Sequence, residues 1–190
     1  MPKVGQEPIR RAALVAATIE VIGEAGSLDV TVSQIAKRAG MSSALAHHYF
    51  GSKAQIFLAA MRQILTDYGQ DVRAALQDAA PEARLEALIA VNLDPSHFQP
   101  ATISAWLNFY VLAQRDPDAA RLLRIYQGRL RSNLIHALRG RTATPEATAD
   151  TLGALIDGVY LRAALGGAGI GDAQAQVLSV AQALLTPEAQ

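Results

Sequence analysis

Between Thr31 and Lys53 the chain reads Thr-Val-Ser-Gln-Ile-Ala-Lys-Arg-Ala-Gly-Met-Ser-Ser-Ala-Leu-Ala-His-His-Tyr-Phe-Gly-Ser-Lys. Little choice of local structure is left to it. Thr31 followed three residues later by Gln34 has the spacing of a capping box, and Val30 with Ile35 occupies the two positions of a hydrophobic staple around that cap. A helix begun there should end at Gly40, since a left-handed backbone costs glycine little. Ser42 can cap a second helix running to about Tyr49. Ser52 and Gln55 repeat the capping spacing and open a third. Helix, short turn, helix is the geometry that lays a second helix in the major groove of DNA. Ser43, His47, His48 and Tyr49 offer donors and acceptors to bases and phosphates. Lys53 falls in the first turn of the next helix, where backbone N–H groups also favour phosphate.

Charge supports that direction. The net charge of zero hides an asymmetry: residues 1–62 hold seven basic and four acidic side chains, the remainder ten arginines and thirteen acids. A head of +3 on a body of −3 suits a protein presenting one end to nucleic acid. Arg10 and Arg11, near the start of the first helix, can reach phosphate or form a solvated basic end. The absence of cysteine excludes a disulfide framework and thiolate chemistry, and is compatible with a cytoplasmic location. No apolar run approaches a membrane span, and the Met-Pro-Lys-Val-Gly-Gln-Glu-Pro start lacks the apolar centre of a secretory signal. Ala, Leu and Arg are abundant while β-branched runs are scarce, which favours an all-α fold.

Periodicity predicts about nine helices. The first covers Pro8 to about Ala25, with Leu14, Val15, Thr18, Ile19 and Ile22 on one stripe. After the hairpin a long helix runs from Ser52 to about Ala79, roughly 40 Å at 1.5 Å per residue. Pro81 starts the next, and Asp94-Pro95 ends it. Gln99 to about Gln114 carries Trp106, Phe109 and Tyr110. Asp116-Pro117 and Thr144-Pro145-Glu146 open two more, the first ending near Gly140. The Gly-Gly-Ala-Gly run at 166–169 breaks the chain before a last helix, about Asp172 to Leu185. The penultimate helix has two apolar faces, one with Leu152, Leu155, Ile156, Val159 and Tyr160, the other with Ala154, Gly158, Leu161 and Leu165. Two faces need two packing partners, one of which can be another chain.

The first helix, the Thr-Val-Ser-Gln-Ile-Ala-Lys-Arg-Ala-Gly-Met-Ser segment and the His-Tyr-Phe-Gly-Ser-Lys end resemble the DNA-binding head of TetR-family transcriptional regulators. Pro-Ile-Arg-Arg at 8–11, Ala-Trp-Leu-Asn-Phe-Tyr at 105–110 and Leu-Ile-Asp-Gly-Val-Tyr-Leu-Arg-Ala-Ala-Leu at 155–165, with the Met-Pro-Lys-Val-Gly start, resemble the BetI-type subgroup. Its members repress glycine betaine synthesis genes until choline relieves them. The resemblance implies a helix-turn-helix domain over 8–68, with its motif at about 31–50, and a ligand-binding and dimerisation domain over 69–190. It implies a homodimer on a pseudo-palindromic operator, joined through the last two helices, with Leu178, Ala181 and Leu185 of the last helix at the interface beside Ala154, Gly158, Leu161 and Leu165. It also implies that Thr31 and Ser33 face the DNA backbone or groove edge. Ser43, Ala44, His47 and His48 would then face the major groove, Tyr49 and Lys53 would bind phosphate, and Phe50 would pack under the motif. Ala44-Leu45-Ala46 departs from the polar residues common there. Alanine and leucine touch thymine methyls but form no hydrogen bonds to bases, which shifts base reading towards Ser43, His47 and His48.

For the effector, the resemblance implies a cavity in the body, with choline or another small molecule as ligand and no cofactor or metal. Trp106, Phe109, Tyr110, Tyr126 and Tyr160 are its candidate aromatic walls, with Asp157 or Asp94 as the acid nearby. Aromatic faces attract a quaternary ammonium at about 0.5–2 kcal/mol per contact. The same residues at helical spacing are equally a plain core, and Asp157 could instead cap a helix or pair with Arg162. No Gly-rich phosphate loop, nucleophile elbow or metal-ligand cluster points to an enzyme: His47 and His48 are adjacent and diverge by about 100° on a helix, while His97 and His136 are isolated. A helical interaction module that never meets DNA is the remaining alternative.

Overall fold

A computed structural model describes residues 6–166 and 170–185. The Met1–Gly5 start and positions 167–169 of the expected glycine break lie outside the described residues. Nine α-helices and no strand occur among those described: α1 Gln6–Ala25, α2 Val32–Arg38, α3 Ser43–Phe50, α4 Lys53–Asp78, α5 Arg84–Asn92, α6 Pro100–Ala113, α7 Pro117–Leu138, α8 Pro145–Gly166 and α9 Ile170–Leu184. The all-α expectation holds. Two short 3-10 turns, Pro81–Ala83 and Pro95–Phe98, were not expected. Pro81 therefore opens a 3-10 turn, and α5 begins three residues later.

The hairpin's ends are built as its residues dictate. The Thr31 hydroxyl accepts the Gln34 N–H at 3.1 Å, and the Gln34 side chain accepts the Thr31 N–H at 2.7 Å, closing the capping box. Val30 and Ile35 are both buried beside it. At the other end of α2 the Met41 N–H reaches the Ala36 carbonyl at 2.9 Å and the Gly40 N–H reaches that of Lys37 at 3.1 Å, with Gly40 at φ 68°. This pair is a Schellman motif, and the positive φ explains why glycine stands there. Ser42 caps α3 through the Leu45 N–H at 3.2 Å, and Ser52 accepts the Gln55 N–H at the same distance.

The chain divides into two compact units. One ends at Asp67 and also takes in Gln99–Leu123; the other holds Tyr68–Phe98 and the chain from Arg124 onward. The first division falls inside α4, so each unit contains part of that helix.

In the first unit α1 packs along α6, and Leu14, Ile22, Ile35, Ile56, Leu58, Met61 and Phe109 are almost wholly buried. Thr18, also buried, satisfies its hydroxyl on the Leu14 carbonyl at 2.6 Å. Gly23 allows a close approach: a Cβ there would lie within 2.5 Å of both Cβ and Cα of Ala101. Gly23→Leu is therefore expected to force α1 and α6 apart at a cost of about 1–3 kcal/mol, an overpacking penalty. A lowered melting temperature by circular dichroism checks it.

The second unit is centred on Leu85, Leu88, Ile89, Leu93, Leu134, Leu152, Ile156 and Val177. Arg141 fastens the α7–α8 connection to the start of α5, donating to the Glu86 carboxylate at 3.0 Å and to the Glu82 carbonyl at 2.9 Å. The guanidinium holds the Glu86 carboxyl below the usual carboxylate range.

Candidate functional site

In α2 and α3 the candidate DNA-facing residues divide by exposure. Thr31, Ser33, Ala44, His47 and His48 are exposed, whereas Ser43, Tyr49 and Phe50 are half-buried. Ser33 and Ser43 share a hydrogen bond between their hydroxyls at 2.9 Å, which ties the two helices of the motif across the turn. Ser43 is thus engaged within the hairpin, and one of its hydrogen-bonding positions is already used. The apolar Ala44-Leu45-Ala46 run has a packing explanation. Ala46 is 0% exposed and Leu45 half-buried, so only Ala44 is turned outward.

The end of α3 is held by four contacts. His47 Nδ1 lies 3.0 Å from the Gly51 carbonyl oxygen, while the Gly51 N–H donates to the His47 carbonyl at 2.7 Å. The guanidinium of Arg11, from α1, sits 5.6 Å from the Tyr49 ring centre and 5.0 Å from that of Phe50. Such cation–π contacts hold both rings in place. Arg11 also pairs with Glu7 at 2.9 Å. Lys53 is exposed, and its ammonium donates to the Leu28 carbonyl at 2.9 Å, so it braces the loop before α2 as well as presenting charge. Arg38 does not extend away from the head. Its guanidinium grips Glu24 at 2.6 and 2.9 Å and Glu20 at 3.1 Å, joining α2 to α1. Hydrogen bonding to Arg38 holds the Glu24 carboxyl below its ordinary range, and the Arg38 guanidinium is raised in return.

The six candidate ligand residues are split between the two units. Trp106, Phe109 and Tyr110 belong to the first, where Trp106 meets Phe109 edge-on at 5.8 Å and Tyr110 at the same centroid distance. Phe109 is completely buried, so within this unit these rings serve as core. Tyr126, Asp157 and Tyr160 belong to the second. There the Tyr126 hydroxyl donates to Asp157, and burial pushes the Asp157 carboxyl up to about 6. No salt bridge reaches Asp157 among the described residues, and the Arg162 alternative is not realised. Asp94 is not part of this cluster. It is exposed and accepts hydrogen bonds from the Ser96 hydroxyl and N–H, which lower its carboxyl and shape the turn at Pro95–Phe98.

Four further residues complete the second-unit cluster, and sequence reasoning missed their roles. Tyr68 of α4 meets Tyr126 edge-on at 5.6 Å and donates to Asn92 at 2.9 Å. Buried Asn92 in turn donates to the Leu88 carbonyl at 2.7 Å. Burial, with a smaller contribution from the Asp157 charge, raises the Tyr68 phenol. His97 lies edge-on to Tyr68 at 5.8 Å, with its Nε2 3.7 Å from Asp71 and without a hydrogen-bond partner among the described residues. Phe98 stacks at 4.7 Å on Tyr160, whose hydroxyl donates to the His97 carbonyl at 3.2 Å. Burial pushes the Tyr160 phenol up to about 12. Tyr68 stood in the inward row of α4, but nothing local links it to a residue 24 positions away.

On the outer side of α8, Ala154 and Gly158 are exposed, Leu161 is 38% exposed and Leu165 68%. They line a groove of about 750 Å³ together with Arg162, Asp172 and Gln176. Leu178 and Leu185 are half-buried. Ala181 is a correction: at 1% exposure it packs inside its own unit and offers nothing to a second chain.

The likenesses to known proteins run the length of the chain. Residues 81–186 match the BetI-type transcriptional repressor C-terminal family, and residues 14–60 the tetR family of bacterial regulatory proteins. The HTH-type transcriptional regulator BetI of Brucella suis biovar 1 is 54% identical over 169 residues, covering 87% of this chain and 85% of its own. That of Agrobacterium fabrum is 49% identical over 181 residues, covering 94% and 88%. A TetR transcription regulator from Haloarcula marismortui has the same fold, with a TM-score of 0.85 at 22% identity, over 94% of this chain and all of that one. A transcriptional regulator from Saccharomonospora viridis, in complex with choline, aligns with a TM-score of 0.79 at 21% identity, over 90% and 95%. Both the head and the body thus have their counterparts among regulators rather than catalysts, and the chain belongs to the TetR family as a transcriptional repressor of the BetI type.

Proposed function

We propose that this repressor binds a pseudo-palindromic operator as a cytoplasmic homodimer and leaves it when choline enters the Asp157 cluster, freeing glycine betaine synthesis genes for expression. The observation that carries the choline reading is Asp157 itself: a half-buried carboxylate among phenols, with no salt bridge among the described residues. A quaternary ammonium supplies the missing charge without needing a hydrogen-bond acceptor, and the faces of Tyr68, Tyr126 and Tyr160 suit its methyl groups. The choline bound by the Saccharomonospora viridis regulator of the same fold supports this reading, as does the BetI name of the relatives.

Residues 8–68 act as the operator-binding domain and 69–190 as the ligand and dimer domain. Within the first, Ala44, His47 and His48 meet base edges. Thr31, Ser33, Ser43, Tyr49 and Lys53 position the motif on the backbone. Choline favours a form of the dimer that cannot hold both half-sites, and the operator is released by a shift of population.

Fluorescence anisotropy on labelled DNA selected by the protein from a random-sequence pool tests the release. Saturating choline is expected to return the signal to that of free DNA, while the uncharged isostere 3,3-dimethylbutanol leaves it unchanged. Unchanged anisotropy with choline would remove choline as the effector.

A further inference from the structure

The contact at the end of α3 fixes more than the position of His47. A carbonyl oxygen has only lone pairs to offer, so the 3.0 Å contact between His47 Nδ1 and the Gly51 oxygen requires the hydrogen to sit on Nδ1. In the neutral ring the other nitrogen, Nε2, is then a bare acceptor. The helix end thus selects that tautomer of the neutral ring: the Gly51 N–H donates to the His47 carbonyl, so the two residues are joined by a donor and an acceptor each. The imidazole is exposed, which leaves Nε2 for a partner outside the chain.

We propose that His47 is a specificity residue that accepts, through Nε2, a hydrogen bond from an exocyclic amino group, N6 of adenine or N4 of cytosine, in each operator half-site. The inference rests on α3 being the helix that enters the major groove. In that groove only adenine and cytosine present a donor, while guanine offers N7 and O6 and thymine O4, all acceptors. A bare acceptor at Nε2 therefore selects for the first pair and against the second, because facing lone pairs repel and leave a polar atom unpaired. His48, one residue on, has its ring against Tyr49 at 5.6 Å and no corresponding lock to Gly51. Its tautomer is not fixed in this way, so the two adjacent histidines are not equivalent readers.

The test compares DNA selected from a random-sequence pool by the wild-type protein and by His47→Ala. The expected result is one base pair per half-site whose preference disappears in the variant while the remaining positions persist; the amino group of that pair, on its adenine or its cytosine, is the donor. At that position, replacing adenine by purine, or cytosine by 2-pyrimidinone, deletes only the amino group. This is expected to weaken wild-type binding about fivefold, the loss of one hydrogen bond, and to leave His47→Ala unaffected. The deletion is read with the unaltered protein, so it does not depend on how the variant folds. If no position relaxes in the variant, or if deleting the amino group at the relaxed pair changes nothing, the acceptor role is wrong although DNA binding stands. If the wild-type protein enriches no sequence at all, the groove-facing reading of α3 fails instead.

Discussion

Leu161→Glu is expected to yield a folded protein that no longer pairs with its copy and has lost nearly all its affinity for the operator. Leu161 is 38% exposed in the single chain and lies in the α8–α9 groove with Gly158 and Leu165. Placing a carboxylate on an already accessible position changes the stability of one subunit by no more than about 0.5 kcal/mol. In a two-fold interface the same change occurs twice, so two carboxylates are buried at once. Operator recognition by such proteins needs two heads on successive major grooves, about 34–36 Å apart. Loss of the pair therefore takes affinity towards the non-specific level, a fall of about a thousandfold or more. Sedimentation velocity at micromolar concentration, circular dichroism and a mobility shift read the three parts separately. A variant that remains dimeric would place the interface elsewhere on the chain.

Asp157→Asn is expected to separate the sensor from the operator-binding function. Asparagine keeps an acceptor for the Tyr126 hydroxyl but carries no charge, so operator binding persists and choline no longer disrupts it. Stability moves in the opposite direction. The Asp157 carboxyl is raised from 3.8 to about 6 by burial, so the folded protein favours its neutral form. That contribution is fully present below pH 3.8 and is lost as pH rises through about 6. Above that range the charged carboxylate costs the ligand-free protein up to about 3 kcal/mol. Asp157→Asn removes this cost, so its melting temperature should exceed that of the wild type by roughly 6–12 °C at pH 8, and by nothing near pH 3.8. In the wild type, choline has to find the carboxylate ionised, and the concentration needed for release should climb as pH falls below about 6. Differential scanning calorimetry and the anisotropy titration, repeated across pH, measure the two effects. A variant that still releases DNA with choline at wild-type concentration would exclude Asp157 from the ligand site.

What the sequence made legible follows the reach of its local rules. Thr31 with Gln34, Ser42 with Leu45 and Gly40 after Arg38 are separated by three residues or fewer, and each formed the contact its spacing predicted. Capping is decided by neighbours, so a single sequence suffices for it. The cluster around Asp157 has no such signature. Tyr68, Asn92, His97, Tyr126 and Asp157 come from α4, α5, a 3-10 turn, α7 and α8, and only the packing of those elements brings them together. Aromatic density along one helix drew attention to Trp106, Phe109 and Tyr110, whereas the second-unit cluster collects one or two rings from each of several helices. Periodicity also could not tell the inward side of α9 from its outer side, and Ala181 was assigned to the wrong one. The same limit applies at Ala46, whose apolar character reflects burial rather than thymine recognition.

The fork of Arg38 onto Glu20 and Glu24 has a consequence for the encounter with nucleic acid. DNA gathers a layer of condensed cations, and a protein side chain frees one of them only when it takes over a phosphate itself. Arg38 already holds two carboxylates, and Arg11 a third. Their charge is met within the head, where Arg38 joins α2 to α1 and Arg11 lies over the Tyr49 and Phe50 rings of α3. The entropy gained from freed ions falls to the head's other basic groups, fewer than the seven its sequence contains.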